Sequence, residues 1–147
     1  MKEIKLKPIG LVHSPFNEPI NVPKDSTDGM EYKGTVEIFP EYRAGLKDLE
    51  GFSHILIIFY FHRSDYSNLI VKPYLDDNLR GVFATRSPHR PNFIGLSIVE
   101  LLNVEGEILH IRGIDMIEGT PVLDIKPYIP EFESNEGIRI GWLEGKI

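Results

Sequence analysis

Short β-forming segments separated by turn residues are the feature that most constrains the fold of this chain. Runs rich in Val, Ile, Leu, Phe and Tyr are bounded by Gly, Pro, Asn or Asp, and they cover residues 6–14, 34–40, 54–62, 80–87, 94–104, 107–115 and 121–128. Segments of this length and composition are typical of strands. A convincing helical pattern is confined to a short stretch around residues 42–49. The sequence therefore predicts a mainly β protein.

The side-chain pattern within these runs predicts how each strand is buried. Leu109 and Ile111 alternate with His110 and Arg112, as in a strand with one buried face. Residues 55–61 are apolar at every position, which is typical of a central strand. Residues 103–107 contain Gly106 and are expected to form the loop of an antiparallel hairpin.

Length and composition limit the protein to one domain without cysteine chemistry. The chain has 147 residues, 41% of them hydrophobic, which predicts a single compact domain over residues 1–147. The absence of cysteine excludes disulfides, thiolate nucleophiles and cysteine-bound metals. The sequence MKEIKLKPIG lacks the apolar stretch of a secretory signal, and the longest apolar run is far too short to span a membrane. We expect a soluble, cytoplasmic protein.

The charge distribution allows a polyanion to bind only at a local patch. The formal net charge is −6 and the isoelectric point is near 5.3, which argues against broad binding to nucleic acid. Between residues 72 and 93 cations outnumber carboxylates, with Lys72, Arg80, Arg86 and Arg90 against Asp76 and Asp77.

Two irregular stretches stand apart from the strand pattern. Residues 15–33 carry Pro15, Pro19 and Pro23 and a turn signal at Asp28-Gly29 without periodicity, so they form either a functional lid or a disordered loop. Residues 81–97 place Arg86 and Arg90 on a loop stiffened by prolines. A guanidinium can bind a carboxylate or phosphate through two parallel hydrogen bonds, in bidentate geometry. A surface arginine can equally form only a weak ion pair.

Several long motifs resemble the TsaA-like, or TrmO, family of tRNA methyltransferases. They are IGLVHSPF at residues 9–16, GFSHILIIFYFH at 51–62, GVFATRSPHRPNFIGLS at 81–97 and EGTPVLDIKPY at 118–128. The resemblance implies one TsaA-like domain, a small β-barrel with short helical segments that works as a homodimer. It also implies use of S-adenosyl-L-methionine to methylate N6 of threonylcarbamoyladenosine at position 37 of tRNA.

The resemblance also implies a set of cofactor contacts drawn from distant segments. The predicted cofactor-binding residues are Pro23, Lys24, Asp25, His62, Arg63, Arg86, Leu96, Arg112, Gly113, Ile114 and Asp115. An arginine suits the carboxylate of the cofactor, and a carboxylate suits its ribose hydroxyls or ammonium, so Arg86 and Asp115 are the clearest candidates. Only a barrel or a dimer seam could gather these segments.

The acceptor nitrogen is expected to need a base, because its lone pair is delocalised into the carbamoyl group. Asp124, His62 and Tyr128 are the candidate bases, and Arg90, Asn92 and Lys126 are the candidate substrate contacts. Other interpretations stay open for these residues. Asp124 and Lys126 could form a structural ion pair, His62 could be a hydrogen-bonded histidine at the barrel end, and Asn92 could cap a turn.

The remaining histidines give no sign of a metal site, since His13, His54 and His110 lack ligand spacing. We expect no metal. Two alternative functions are also open: a methyltransferase with the same cofactor and another acceptor, and a non-catalytic β-barrel that binds RNA or a nucleotide.

Overall fold

The strands of the chain follow the order of its β-forming segments. The computed structural model describes residues 1–23, 31–131 and 134–147, and gives only the backbone of Ile20. Its strands are β1 (Gly10–His13), β2 (Lys33–Ile38), β3 (His54–Tyr60), β4 (Ile70–Val71), β5 (Arg80–Gly81), β6 (Ile94–Glu105), β7 (Ile108–Arg112) and β8 (Pro121–Pro127). Its 3-10 helices are Pro19–Asn21, Pro40–Leu46, Leu49–Gly51, Val82–Ala84, Pro91–Phe93 and Gly141–Leu143.

Six of these strands close into an antiparallel barrel in the order β1-β2-β7-β6-β3-β8. The barrel is closed by the pairing of β1 with β8, in which Gly10 lies opposite Val122. The two-residue strands β4 and β5 form a separate ribbon. The predicted mainly β barrel is confirmed, and the short helical pattern around residues 42–49 corresponds to two 3-10 helices.

Alternating side chains fill the barrel interior, as the pattern in the sequence predicts. Ile55, Ile57 and Phe59 point inward from β3, and Leu109 and Ile111 point inward from β7, where all are buried. The outward side chains of β3 are half-buried or exposed. The predicted central strand is confirmed, since β3 pairs with β6 on one side and with β8 on the other.

The segment 80–87 is a strand only at its first two residues. After Gly81 the chain enters the 3-10 helix Val82–Ala84, and the hydroxyl of Thr85 donates to the carbonyl oxygen of Val82 at 2.8 Å. This local hydrogen bond competes with strand pairing, which is why the predicted strand ends early.

The hairpin between β6 and β7 is tighter than predicted. Strand β6 continues to Glu105, and the turn consists of Gly106 and Glu107 rather than residues 103–107. Gly106 has φ = 63°, a left-handed conformation that glycine adopts without steric cost. In the part of the chain that the structure describes, no helix is long and apolar enough to cross a membrane.

Candidate functional site

A cavity of about 710 Å³ lies at the end of the barrel where β3 ends and β6 begins. Its volume falls within the range of small-molecule sites. Its walls come from β3, β6, the loop between β5 and β6, the turn before β8 and the segment after β1. The sequence-predicted residues that line it are Pro23, His62, Arg63, Arg86, Arg90, Leu96 and Asp115.

The two loop arginines differ in what their side chains contact. The Nη1 atom of Arg90 donates to the carbonyl oxygens of Thr85 and Ser87 at 2.8 and 3.2 Å, so this side chain braces its own loop. The guanidinium of Arg86 makes no hydrogen bond or ion pair with the described residues and faces the cavity. Arg86 is therefore the arginine available to an anionic group.

The backbone after Arg90 adopts an uncommon conformation. Asn92 and Phe93 have φ values of 66° and 53°, in the left-handed region that asparagine tolerates and phenylalanine rarely adopts. The side chain of Asn92 makes no hydrogen bond with the described residues, so the capping interpretation is wrong. Asn92 does not line the cavity, and its contact with substrate stays a prediction.

His62 lines the cavity with one ring nitrogen unpaired. Its Nδ1 atom is buried and has no hydrogen-bond partner among the described residues, so this nitrogen is available to a ligand. Burial, and then the positive charge of Arg63, lower the pKa of His62 below its usual value of 6.5. The imidazole is therefore neutral at pH 7, and a neutral imidazole can accept a proton.

Asp115 is the carboxylate of the cavity wall, and a serine that the sequence interpretation missed holds it. The hydroxyl of the buried Ser97 donates to Oδ1 of Asp115 at 2.5 Å. Ser97 occupies an inward position of β6 between the buried residues Gly95 and Val99. A polar residue at an inward strand position needs a partner, so the alternation of β6 contained the signal for this contact.

The predicted cofactor residue Arg63 connects the cavity to the segment after β1. It donates to the carbonyl oxygen of Asn17 at 3.3 Å and to a carboxylate oxygen of Glu18 at 3.2 Å. The neighbouring residues Pro19 and Val22 line the cavity together with Pro23. Arg63 thus attaches this segment to one wall. Lys24 and Asp25, also predicted to contact the cofactor, lie outside the described residues.

The other predicted cofactor residues lie beside the cavity rather than in its wall. Arg112 forms a two-pronged ion pair with Glu100, with nitrogen–oxygen distances of 2.8 to 3.1 Å. The amide of Gly113 donates to the carbonyl oxygen of Tyr32 at 2.9 Å, and Ile114 is fully buried in the core. In one chain these residues support the strand that leads to Asp115.

The predicted bases and contacts on β8 lie on the outer surface of the barrel. The Nζ atom of Lys126 lies 3.5 Å from a carboxylate oxygen of Asp124, so these residues do form the ion pair considered from the sequence. Asp124 borders a second cavity, and neither it, Lys126 nor Tyr128 lines the first one. Asp124 on β8 pairs with Ile58 on β3, and Ile58 pairs in turn with Leu96 on β6. Ile58 and Leu96 line the first cavity, so Asp124 lies one strand away from it.

A second feature of the loop escaped the sequence interpretation. The ring of His89, which lines the cavity, stacks on Tyr66 with centroids 3.9 Å apart, and its Nδ1 atom lies 2.8 Å from the hydroxyl oxygen of Ser64. Nothing in the spacing of these residues predicts the contact, since it depends on how the chain between β3 and β6 returns to the barrel. Within the described ranges, no group of three or more His, Asp or Glu side chains could hold a metal ion.

The fold and the site together define a class of protein. It is a small closed β-barrel with a mostly apolar pocket, which the guanidinium of Arg86, the carboxylate of Asp115 and the neutral imidazole of His62 line. Such a pocket suits a small molecule that carries an apolar ring system and an anionic group.

Comparison with known proteins identifies the family. The model of the tRNA-methyltransferase O N-terminal domain matches residues 11–134. A probable S-adenosyl-L-methionine-binding protein of Pyrococcus abyssi is 53% identical over 96% of this chain and 77% of its own length. The chain belongs to the tRNA-methyltransferase O family.

More distant relatives include named enzymes and solved structures. The rat tRNA (adenine(37)-N6)-methyltransferase is 42% identical over 90% of this chain, but the match covers only 32% of that enzyme. The crystal structure of TrmO from Pseudomonas aeruginosa superimposes with a TM-score of 0.81 at 36% identity, covering 99% of this chain and 64% of that one.

Proposed function

We propose that this chain, as a single-domain cytoplasmic enzyme, binds S-adenosyl-L-methionine in the 710 Å³ cavity and methylates N6 of threonylcarbamoyladenosine at position 37 of tRNA. The observation that carries the proposal is the guanidinium of Arg86, which faces an apolar cavity without a partner among the described residues. The relatives of this chain support the proposed cofactor and reaction, since one is named a probable S-adenosyl-L-methionine-binding protein and another a tRNA (adenine(37)-N6)-methyltransferase.

The residues of the cavity fit the chemical groups of this cofactor. Arg86 would bind the carboxylate of its amino-acid end, and Asp115 would accept hydrogen bonds from hydroxyls or the ammonium group. Leu96, Phe61 and Ile117 supply apolar wall for the adenine ring. Asp115 is held in place by Ser97, so it does not need to reorient when a ligand binds.

When bound, the cofactor supplies a methyl group that its sulfonium centre has already activated. The chain then has two tasks, which are to align the acceptor nitrogen and to receive its proton. The neutral imidazole of His62 is the candidate base within the cavity of one chain. Asp124 and Tyr128 stay candidates only if a second chain brings them to this cavity.

The outer surface of β3 and β6 supports a homodimer. Three cross-strand pairs, Leu56 with Ile98, Ile58 with Leu96 and Tyr60 with Ile94, form a continuous apolar face there. Leu96 is 50% exposed in a single chain, although it also lines the cavity. A second copy packed on this face would cover the apolar area and close the open side of the cavity. Because Asp124 lies in the row of Ile58 and Leu96, the same packing would bring it towards the partner's cavity.

Binding and turnover test the proposal separately. Calorimetry should show S-adenosyl-L-methionine binding to the wild-type chain and about a 10- to 100-fold loss for Arg86→Ala, the effect of removing a charge-assisted hydrogen-bonded pair. Arg43→Ala is the matched control, because that arginine is exposed and does not line the cavity. No binding to the wild type would refute the proposal.

Mass spectrometry of nucleosides from tRNA incubated with protein and cofactor tests the reaction. We expect a gain of one methyl group on threonylcarbamoyladenosine. Cofactor binding with no change in this nucleoside would favour a different acceptor.

Mixed dimers test whether Arg86 of one chain and Asp124 of the other form one site. Arg86→Ala and Asp124→Asn should each be impaired alone, and a mixture that exchanges subunits should regain part of the activity, because one composite site then has both residues intact. A chain that light scattering shows to be a monomer under assay conditions, while fully active, would refute the dimer.

A further inference from the structure

The backbone on both sides of Arg86 is fixed by hydrogen bonds from other side chains. Before it, the indole Nε1 of Trp142 donates to the carbonyl oxygen of Ala84 at 2.8 Å, across 58 positions of sequence. After it, Arg90 binds the carbonyl oxygens of Thr85 and Ser87. Arg86 itself has no side-chain partner among the described residues, so its position depends on these backbone contacts.

Trp142 is in turn fixed by two cations that share one carboxylate. Arg80 and Lys146 lie 5.6 and 5.5 Å from the centre of the indole ring, within the range of cation–π contacts. Both also form ion pairs with Asp76, at 2.6 Å from Arg80 and 3.0 Å from Lys146. The Asp76 side chain is only 4% exposed, so water screens this cluster less than a surface ion pair.

We propose that Asp76, Arg80, Trp142 and Lys146 form a clamp through which the segment 141–147 positions Arg86 for its ligand. This inference rests on the proposed function, because it takes Arg86 as the residue that binds the cofactor carboxylate. Trp142 is a positioning residue, since it does not line the cavity and acts through Ala84 and the loop. Its indole N–H donates to the carbonyl oxygen of Ala84 at the end of the 3-10 helix Val82–Ala84, and the described residues offer that oxygen no other hydrogen bond.

A clamp of this kind reduces the conformational entropy that the loop loses when the cofactor binds. An exposed arginine on a free loop loses conformational entropy when it binds a carboxylate, whereas a loop fixed in advance loses less. The contribution should therefore appear as affinity for the cofactor rather than as the rate of methyl transfer once it is bound.

The experiment is a double-mutant cycle with calorimetry and S-adenosylhomocysteine as the probe. Trp142→Phe keeps the aromatic ring but removes the N–H donor, and it should weaken binding by about 3- to 10-fold, the effect of one hydrogen bond. In an Arg86→Ala background the same change should weaken binding less than about 2-fold. In turnover assays Trp142→Phe should raise KM for S-adenosyl-L-methionine and leave kcat within about 2-fold.

Further variants separate positioning from general stability. Ile147→Ala, at an 80% exposed position of the same segment, is the control and should bind as the wild type does. Hydrogen exchange of residues 83–87 should rise in Trp142→Phe and stay unchanged in this control. If Trp142→Phe does not fold, Lys146→Gln removes one cation from the ring and should show a smaller loss that also depends on Arg86.

The outcomes distinguish the clamp from the proposed function. Full affinity in Trp142→Phe, or an equal loss with and without Arg86, overturns the clamp and leaves the cofactor site standing. Unchanged affinity in Arg86→Ala alone overturns the assigned role of Arg86, and the clamp with it.

Discussion

Gly95 lies so close to two aromatic rings that an added methyl group has no room. A Cβ atom at this position would lie 2.5 Å from Cζ and 2.6 Å from Cε2 of Phe59, and 2.8 Å from Cζ of Phe61. Carbon atoms pack at about 3.5–4.0 Å, so both rings would have to retreat by about 1 Å. Phe59 is buried in the core and packs edge-on against Phe61 with centroids 5.0 Å apart. We expect Gly95→Ala to destabilise the fold by about 1–3 kcal/mol through overpacking.

Urea unfolding measures this effect directly. With a slope of about 1.5 kcal/mol/M, a loss of about 2 kcal/mol lowers the midpoint by about 1 M. Because Phe59 and Phe61 also line the cavity, cofactor affinity should fall as well. The matched control is Gly45→Ala, where nothing lies within 4 Å of the added Cβ, and its midpoint should be unchanged or slightly raised. Equal midpoints for the two variants would refute the steric argument.

Two further predictions concern pH. Hydrogen bonds to Glu37 and then to Glu118 raise the pKa of His13 above 6.5, so its stabilisation is complete below that pH and is lost as pH rises through the folded value. The stability difference between wild type and His13→Gln, measured by urea unfolding, should therefore shrink as pH rises above 6.5. Hydrogen bonds from Lys146 and then Arg80 hold the pKa of Asp76 far below 3.8, so its stabilisation is present above that pH and is lost on acidification. Relative to Asp76→Asn, the wild type should lose its advantage as pH falls below about 4, measured by urea unfolding, and a constant difference across either pH range would contradict that prediction.

β-forming composition and the turn residues between segments were sufficient to predict the barrel strands, and local side-chain chemistry limited how far each prediction held. Leu109 and Ile111 are buried as their alternation with polar residues indicates. Composition alone could not reveal that the hydroxyl of Thr85 bonds back to Val82, so the strand predicted over residues 80–87 was too long. The same limit applies to the outer face of β3, since an apolar run does not state whether a second layer covers it.

The sequence was sufficient to predict which residue types line the site, but not which hydrogen bonds their side chains make. Arg86 and Arg90 carry the same side chain on the same loop, yet only the folded turn shows that Arg90 binds the loop's own carbonyls. The unpaired Nδ1 of His62 and the bond from Ser97 to Asp115 depend on segments that meet only in the folded barrel. The alternation of β6 marks Ser97 as an inward polar residue that needs a partner, but it does not show that the partner is Asp115.

The closure of the barrel determines how this chain can associate. Each of the six barrel strands has a hydrogen-bonded strand on both sides, so the barrel has no strand at a free edge of the sheet. Contacts on the outer face of the barrel depend on side chains, so a few substitutions there could change the partner without altering the fold. The strand pairing that holds the barrel together can therefore stay the same while the side chains that bind a partner change.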